Sequence, residues 1–406
     1  ITWSLVGSEM CIRDSSGAAA DLNTAYDSAG ISNLGDEAIT LTDTSLSVSV
    51  LNTLDGNTSG TVKAKTVTTL TGAAADLITA YASGGISNLG NEAVAVSSGT
   101  ASTSQANTLA AATSGIVTAT ISDGDLATLA GLTETGNAYS ITISDNSVDA
   151  AALNTLDGKT TVAIDATAIT TLTGAAADLN TAYDSAGISN LGDEAITLSD
   201  TSLTAAVLNT LDGNTSGTID ATAITTLSGA AADLITAYDS AGISNLGNEA
   251  VAVSSGTAST SQANTLAAAT SGIVTATISD GDLATLAGLT ETGNAYSITI
   301  SDNSVDAAAL NTLDGKTTVA IDATAVTTLT GAAADLNTAY ASSGISNLGD
   351  EAITLTDTSL TAAVLNTLDG NTSGTIDATA ITTLTGAAAD LITAYASGGI
   401  SNLGNE

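Results

Sequence analysis

Self-similarity constrains this chain more than any other feature. The heptad ISNLG(D/N)E begins at Ile31, Ile86, Ile188, Ile243, Ile345 and Ile400, in alternating steps of 55 and 102 residues. The long period is therefore 157 residues, and segments 86–187 and 243–344 differ only at Ile169/Val326, Asp184/Ala341 and Ala186/Ser343. Such near-identity points to duplication of a whole block. A repeat too short to bury its own apolar face gains stability only by stacking on its neighbours, so the fold must be a stacked one.

A shorter unit lies inside the block. An apolar residue closes a short β-rich run, and a second follows five residues later: Leu198/Leu203, Ile219/Ile224, Ile278/Leu283, Ile300/Val305 and Ile321/Val326, with Val253/Ala258 the weak member. The first residues step by 21, 34, 25, 22, 21 and 34, giving six units per block and fourteen starts over 41–376. The runs ITL, ATI, ITI and VAI alternate apolar and polar residues, as half-buried strands do. Spacing then turns helical, with Leu203, Val207 and Leu211 at i, i+4 and i+8. Asp212-Gly213 predicts the stop, with glycine in the left-handed position after the helix. The 34-residue units carry a longer insert, GAAADLITAYDSAG at 229–242, which reads as an additional helical segment.

These patterns predict an α/β fold: a repeat solenoid of short parallel strands and short helices, about 21–34 residues per unit, continuous over 16–406. The alternative is an all-β parallel β-helix in which the supposed helices are turns. Ala and Leu in LNTLDG and GAAADLNTAY favour helix.

Residues 1–15 stand apart. Trp3, Met10, Cys11 and Arg13 are the only residues of their types. The match to the copy at 173–187 begins abruptly at Ser16. The run SLVGSEMCIRD resembles translated sequencing-adapter read-through, which implies that 1–15 are non-native; a genuine junction with a preceding domain is the alternative. Either way the lone Cys says nothing of redox compartment. Ile1 is not a start Met and ISNLGNE falls part-way through a repeat, so the chain reads as a fragment at both ends.

Composition narrows the chemistry. There is no His, which removes imidazole bases, Ser-His-Asp and Cys-His machinery and histidine metal sites. Forty-two Asp and Glu face five Lys and Arg, a net charge of −37, which repels phosphate backbones and argues against nucleic acid. Hydrophobic residues still reach 43%, unlike a disordered acidic tail. No apolar run approaches the ~18 residues of a membrane span.

A polar window after each strand carries Asp in eleven of the fourteen units: Asp43, Asp123, Asp145, Asp165, Asp200, Asp220, Asp280, Asp302, Asp322, Asp357 and Asp377. Stacked carboxylates suggest Ca²⁺. Helix N-capping explains them more simply, because Ser97-Ser98 and Ser254-Ser255 replace Asp in two units and Lys63 stands where Asp220 and Asp377 stand. The asparagines of LNTLDG (Asn52, Asn154, Asn209, Asn311, Asn366) predict either an amide ladder or single helix-end hydrogen bonds. Thr197, Ser199, Thr277, Ser279, Thr299 and Ser301 point away from the core and raise an ice-binding face, though Ala252 and Ala320 interrupt it and helices are expected to cover it. Pairs such as Asp193/Glu194 have the composition of an acid and a base, but they recur in each block and read as solvated acidic surface. No catalytic, cofactor-binding or metal-binding residue is assigned, and the expectation is a protein that is not an enzyme.

ITLTDTSLTAAVLNTLDG (353–370) and TTLTGAAADLNTAY (170–183) resemble repeat arrays in very large, acidic, Thr/Ala/Asp-rich proteins of marine bacteria and cyanobacteria. The resemblance covers 16–406. It implies a secreted or cell-surface protein: a stalk, spacer, adhesin or surface-layer component whose partners are its own neighbouring repeats, the cell surface or other surface proteins. A calcium-responsive adhesion module is the second reading, and an ice-binding surface a remote third.

Overall fold

Alternating sequence makes strands here because one face has somewhere to go. In Ala352–Leu355, Ile353 and Leu355 are buried while Thr354 between them is exposed. Immediately before or a few residues after such strands the chain turns helical, and small residues let the helix approach closely. The computed structural model describes residues 14–404. Among them, fifteen helices are interspersed with short strands, and the strand pairings are parallel. The protein is thus α/β rather than all-β, an arrangement compatible with a repeat solenoid.

The chain forms two compact units, one within Ile1–Thr197 and Asn214–Thr218, the other within Leu198–Gly213 and Ile219–Glu406. In the first, Ser45–Ser47, Thr69–Ala73, Ala93–Ser98, Val117–Thr120 and Ala138–Ser140 lie side by side in that order. The second contains two such five-stranded rows, Ser202–Thr204 to Ala295–Ser297 and Ser304–Asp306 to Ile400–Ser401.

Register explains the uneven unit lengths read from the sequence. Leu203 pairs with Leu227, Leu227 with Val251, and Val251 with Val274, steps of 24, 24 and 23 residues. Ile219 pairs with Ile243, not with a residue 34 further on, and Val253 pairs with Gly229. The 34-residue step from Ile219 to Val253 therefore joins strands from different rows, whereas Leu198 and Ile219 lie on neighbouring strands of one row. Nor is 229–242 an additional helix: Ala231–Asp239 is the helix of its own repeat, successor to Ala205–Asn214. Helices in the second unit start at 205, 231, 260, 283, 307, 333, 362 and 388, steps of 23 to 29. Because hydrogen bonding holds strand steps nearer 24, each row drifts away from the helix that follows it. Ser202–Thr204 abuts its helix, whereas Ala295–Ser297 ends well short of Ala307, and there a new row begins with Ser304–Asp306.

The core is aliphatic. In Ala205–Asn214 the buried stripe is Ala205, Leu208 and Leu211, not the expected Leu203, Val207 and Leu211. Leu203 belongs to the strand, and Val207 is only half-buried. Each fully buried leucine contributes about 1.5–3 kcal/mol against the entropy of ordering its repeat. The left-handed glycine stop is also absent: Gly213 lies inside Ala205–Asn214, and its counterpart Gly370, after Ala362–Asp369, has φ −76. Positive φ falls instead on Asn88 (67°) and Gly90 (131°) of the heptad and on their counterparts.

Of the anomalous opening, residues 1–13 lie outside the described residues. Asp14–Gly17 pairs in register with Ala38–Leu41. This puts Ser15, 6% exposed, in the core slot that Leu172 and Leu329 fill one and two blocks later. A hydroxyl in a leucine slot is an ill-matched substitution.

Candidate functional site

The ISNLG(D/N)E heptad is the most elaborate polar structure in each block. Asn88 and Gly90 turn the chain left-handed so that Glu92, fully buried, folds back on its own loop. Glu92 Oε2 accepts from the Gly90 N–H (2.8 Å) and from the Tyr81 hydroxyl (3.0 Å) of the preceding helix. Its backbone carbonyl accepts from the Thr113 hydroxyl at 2.6 Å, and that hydroxyl accepts from the Gly115 N–H at 3.0 Å. A side chain at Gly115 would meet the Glu92 carbonyl oxygen at 2.2 Å, so the next repeat closes over the loop only because this residue is glycine. Glu37, Glu194, Glu249 and Glu351 are likewise at most 1% exposed and take hydrogen bonds from Tyr26, Tyr183, Tyr238 and Tyr340.

These carboxylates are buried among neutral donors. Burying a charge is tolerable only when its oxygens are hydrogen-bonded, and the strong donors available are tyrosine O–H and backbone N–H. Burial, reinforced by Glu37, pushes the Tyr26 hydroxyl up to about 12. Burial and the adjoining glutamate raise Tyr81, Tyr183, Tyr238 and Tyr340 further. The Oε1 atoms of Glu37, Glu92 and Glu194 are buried and lack a hydrogen-bond partner. The reading of Asp193/Glu194 as solvated surface needs correction: Asp193 is exposed but Glu194 is fully buried. A carboxylate sealed by the next repeat is not placed to meet a substrate.

The aspartate row divides into two kinds. Asp43, Asp123, Asp145, Asp280, Asp302 and Asp357 accept from the first N–H of a helix at 2.6–2.8 Å, the donors being Ala19, Thr103, Leu126, Thr260, Leu283 and Ala333. Each donor lies 19–24 residues upstream, so the helix being capped belongs to the preceding repeat. The repeat's own helix begins on different residues. Ser102 and Ser259 form capping boxes with Gln105 and Gln262; Asp125, Asp282, Asp149 and Asp306 cap locally; Ala230 offers no side-chain cap at all.

The second kind comprises Asp165, Asp220, Asp322 and Asp377. In each, Oδ1 accepts from the N–H and hydroxyl of the threonine two residues on and from an asparagine amide 25 residues on: Asn190, Asn245, Asn347 or Asn402. The threonine and asparagine hydrogen bonds hold these four carboxyls below the usual carboxylate range. Asp200 is half-buried and not without a partner. Among the described residues, no group of three or more His, Cys, Asp or Glu comes together as a metal site.

The remaining polar residues serve the same end. Asn52, Asn154, Asn209, Asn311 and Asn366 donate to the carbonyls of Asp76, Asp178, Asp233, Asp335 and Asp390 in the next repeat's helix, so they form single bonds across repeats rather than an amide ladder. Thr197, Ser199, Thr277, Ser279, Thr299 and Ser301 are exposed, so the helices do not cover that face; half-buried Ala252 and exposed Ala320 break its row. A groove of about 350 Å³ runs between Ala231–Asp239 and Thr260–Ala269, lined mainly by apolar side chains such as Ile235, Leu246 and Leu266. Among the described residues no helix is long and apolar enough to cross a membrane.

The Glu–Tyr pairing escaped the sequence reading. Its signal was present, since Tyr and Glu recur at a fixed separation of 11, as in Tyr81/Glu92 and Tyr183/Glu194. So was the Ser-x-x-Gln capping signature at Ser102 and Gln105. No protein-family model matches the chain, and comparison with curated proteins and with solved structures returned no match.

Proposed function

We propose that this chain is a non-enzymatic structural repeat solenoid from an extracellular bacterial protein, serving as a stalk, spacer or adhesin shaft. The observation that carries the reading is the use made of the recurrent polar side chains. The six helix-capping aspartates, the Asp–Asn pairs and the LNTLDG asparagines all bind a neighbouring repeat 19–25 residues away. Groups that would otherwise be candidates for chemistry are occupied in holding repeat to repeat. The arrangement also recurs at 157-residue spacing, which suits a mechanical element and offers no unique catalytic centre.

Negative charge supports the outward placement. A surface carrying a net −37 stays soluble and self-repelling in a salty medium, where screening limits the internal cost. The resemblance to large acidic surface arrays points the same way. Labelling of intact source cells with an antibody against this array tests the placement: decoration without permeabilisation is expected. Labelling only after permeabilisation would put the protein inside the cell and end the stalk reading.

A further inference from the structure

A pair of positions 34 residues apart recurs five times along the chain, in two forms. Three times it is a pair of asparagines. Asn57, Asn214 and Asn371 each donate a side-chain N–H to the amide oxygen of Asn23, Asn180 and Asn337, at 3.0, 2.9 and 2.8 Å. Twice it is apolar, because AADLNTAY becomes AADLITAY and NTSG becomes ATSG: Ile78 with Ala112, and Ile235 with Ala269. Both amides are exchanged together, and their hydrogen bond goes with them. Stacking does not demand the exchange, since the amide pair serves at the other three places.

At Ile235 and Ala269 the exchange coincides with a groove. The space of about 350 Å³ between Ala231–Asp239 and Thr260–Ala269 falls within the ~300–1,000 Å³ range of small-ligand clefts. Half-buried Ile235, Leu246 and Ala269 line it beside fully buried Leu266. Exposed Asp239 lines it too, and among the described residues no lysine or arginine does. The aliphatic carbons favour taking an alkyl stem out of water. Asp239 is a carboxylate partner for a positive head, and the net charge of −37 draws cations to the surface while holding anions off.

We propose that this groove is a binding site for a small amphiphilic cation, an alkyl chain of a few carbons ending in an ammonium group. The stem lies against Ile235, Leu246, Leu266 and Ala269, and the head stands beside Asp239. Ala82 occupies the place of Asp239 beside the Ile78 and Ala112 pair, so the charged partner belongs to the second of the two apolar places. The inference does not depend on where the protein works.

The test titrates the full chain at low salt with octyltrimethylammonium, below its micellar concentration, by isothermal calorimetry. Saturable binding is expected. Octyl sulfate has the same stem and the opposite charge, and tetramethylammonium has the head without the stem; both are expected to bind at least about tenfold more weakly. Ile235→Asn with Ala269→Asn restores the amide pair that the fold already accommodates at Asn180 and Asn214, so circular dichroism is expected to be unchanged. This variant is expected to lose affinity at least about tenfold. Asp239→Ala, which matches the residue at position 82, is expected to weaken binding about two- to fivefold. Absence of saturable binding by octyltrimethylammonium overturns the proposal. So does equal binding by octyl sulfate or tetramethylammonium, or unchanged affinity in either variant.

Discussion

Removing the carboxylates of Asp123 and Asp280 separates capping across repeats from capping within one. Asp280 Oδ2 accepts from the Thr260 N–H at 2.7 Å, twenty residues upstream, and Asp123 does the same for Thr103. The nearer helix, Leu283–Leu286, is capped by Asp282, which accepts from the Thr285 N–H at 3.0 Å. Because 101–113 and 258–270 are identical, both copies are substituted together: Asp123→Ala with Asp280→Ala in one variant, Asp125→Ala with Asp282→Ala in the other. Loss of a side-chain cap costs about 1–2 kcal/mol, toward the upper end where the acceptor is charged and half-buried. If opening of the first turn governs exchange, the released amide then exchanges about 5–30 times faster. Hydrogen exchange read by mass spectrometry on 101–113 and 258–270, and on 124–132 and 281–289, follows both helix starts. The first variant is expected to speed exchange at Thr103 and Thr260 and to leave Thr128 and Thr285 protected; the second is expected to do the reverse. If Asp123→Ala and Asp280→Ala expose the downstream helix and spare the upstream one, the account of capping is wrong.

Two further outcomes follow from the heptad loop and a third from tyrosine burial. Gly115→Ala sets a methyl group 2.2 Å from the Glu92 carbonyl oxygen, so the next repeat must shift; a loss of about 1–3 kcal/mol is expected in urea titration. Tyr183→Phe removes the 2.9 Å hydrogen bond to fully buried Glu194 and is expected to cost about 1.5–3 kcal/mol, whereas an unchanged urea midpoint would show the pair to be idle. The third concerns alkaline pH. Burial pushes Tyr26, Tyr139 and Tyr296 up to about 12, above the value near 10 of an unfolded chain. A phenol raised on folding stabilises the native state fully below about pH 10, and that contribution is lost as pH rises toward about 12. Phenolate absorbance at about 295 nm is therefore expected to lag free tyrosine and to grow as helical dichroism falls; full titration near pH 10 with dichroism intact would contradict it.

Fold class was legible because period-2 and helical patterns succeed each other within a fixed repeat, and each signal is local. Row register was not. The five-residue apolar spacing marks Ile219 and Val253 alike, yet these side chains belong to different rows, and only hydrogen bonding between Ile219 and Ile243 separates them. The aspartates were correctly read as caps in six positions, but their targets lie a repeat upstream, and a window of four residues does not reach that far. Asp165 and its counterparts were misjudged for the same reason, since Asn190 is 25 residues away. Glu194 misled through composition: in an acidic chain a Glu beside an Asp resembles solvent-facing charge, and its burial depends on Tyr183 and on the repeat that closes over it.

The central claim is that the recurrent carboxylates bind the chain to itself and require no metal. Circular dichroism and thermal melting of residues 16–406, in calcium and in chelator, test it most directly. The account predicts a mixed helix–strand spectrum and a melting temperature that agree in the two buffers. A chain that is unfolded in chelator and folds when calcium is added would contradict it, and would make the aspartate row a metal site.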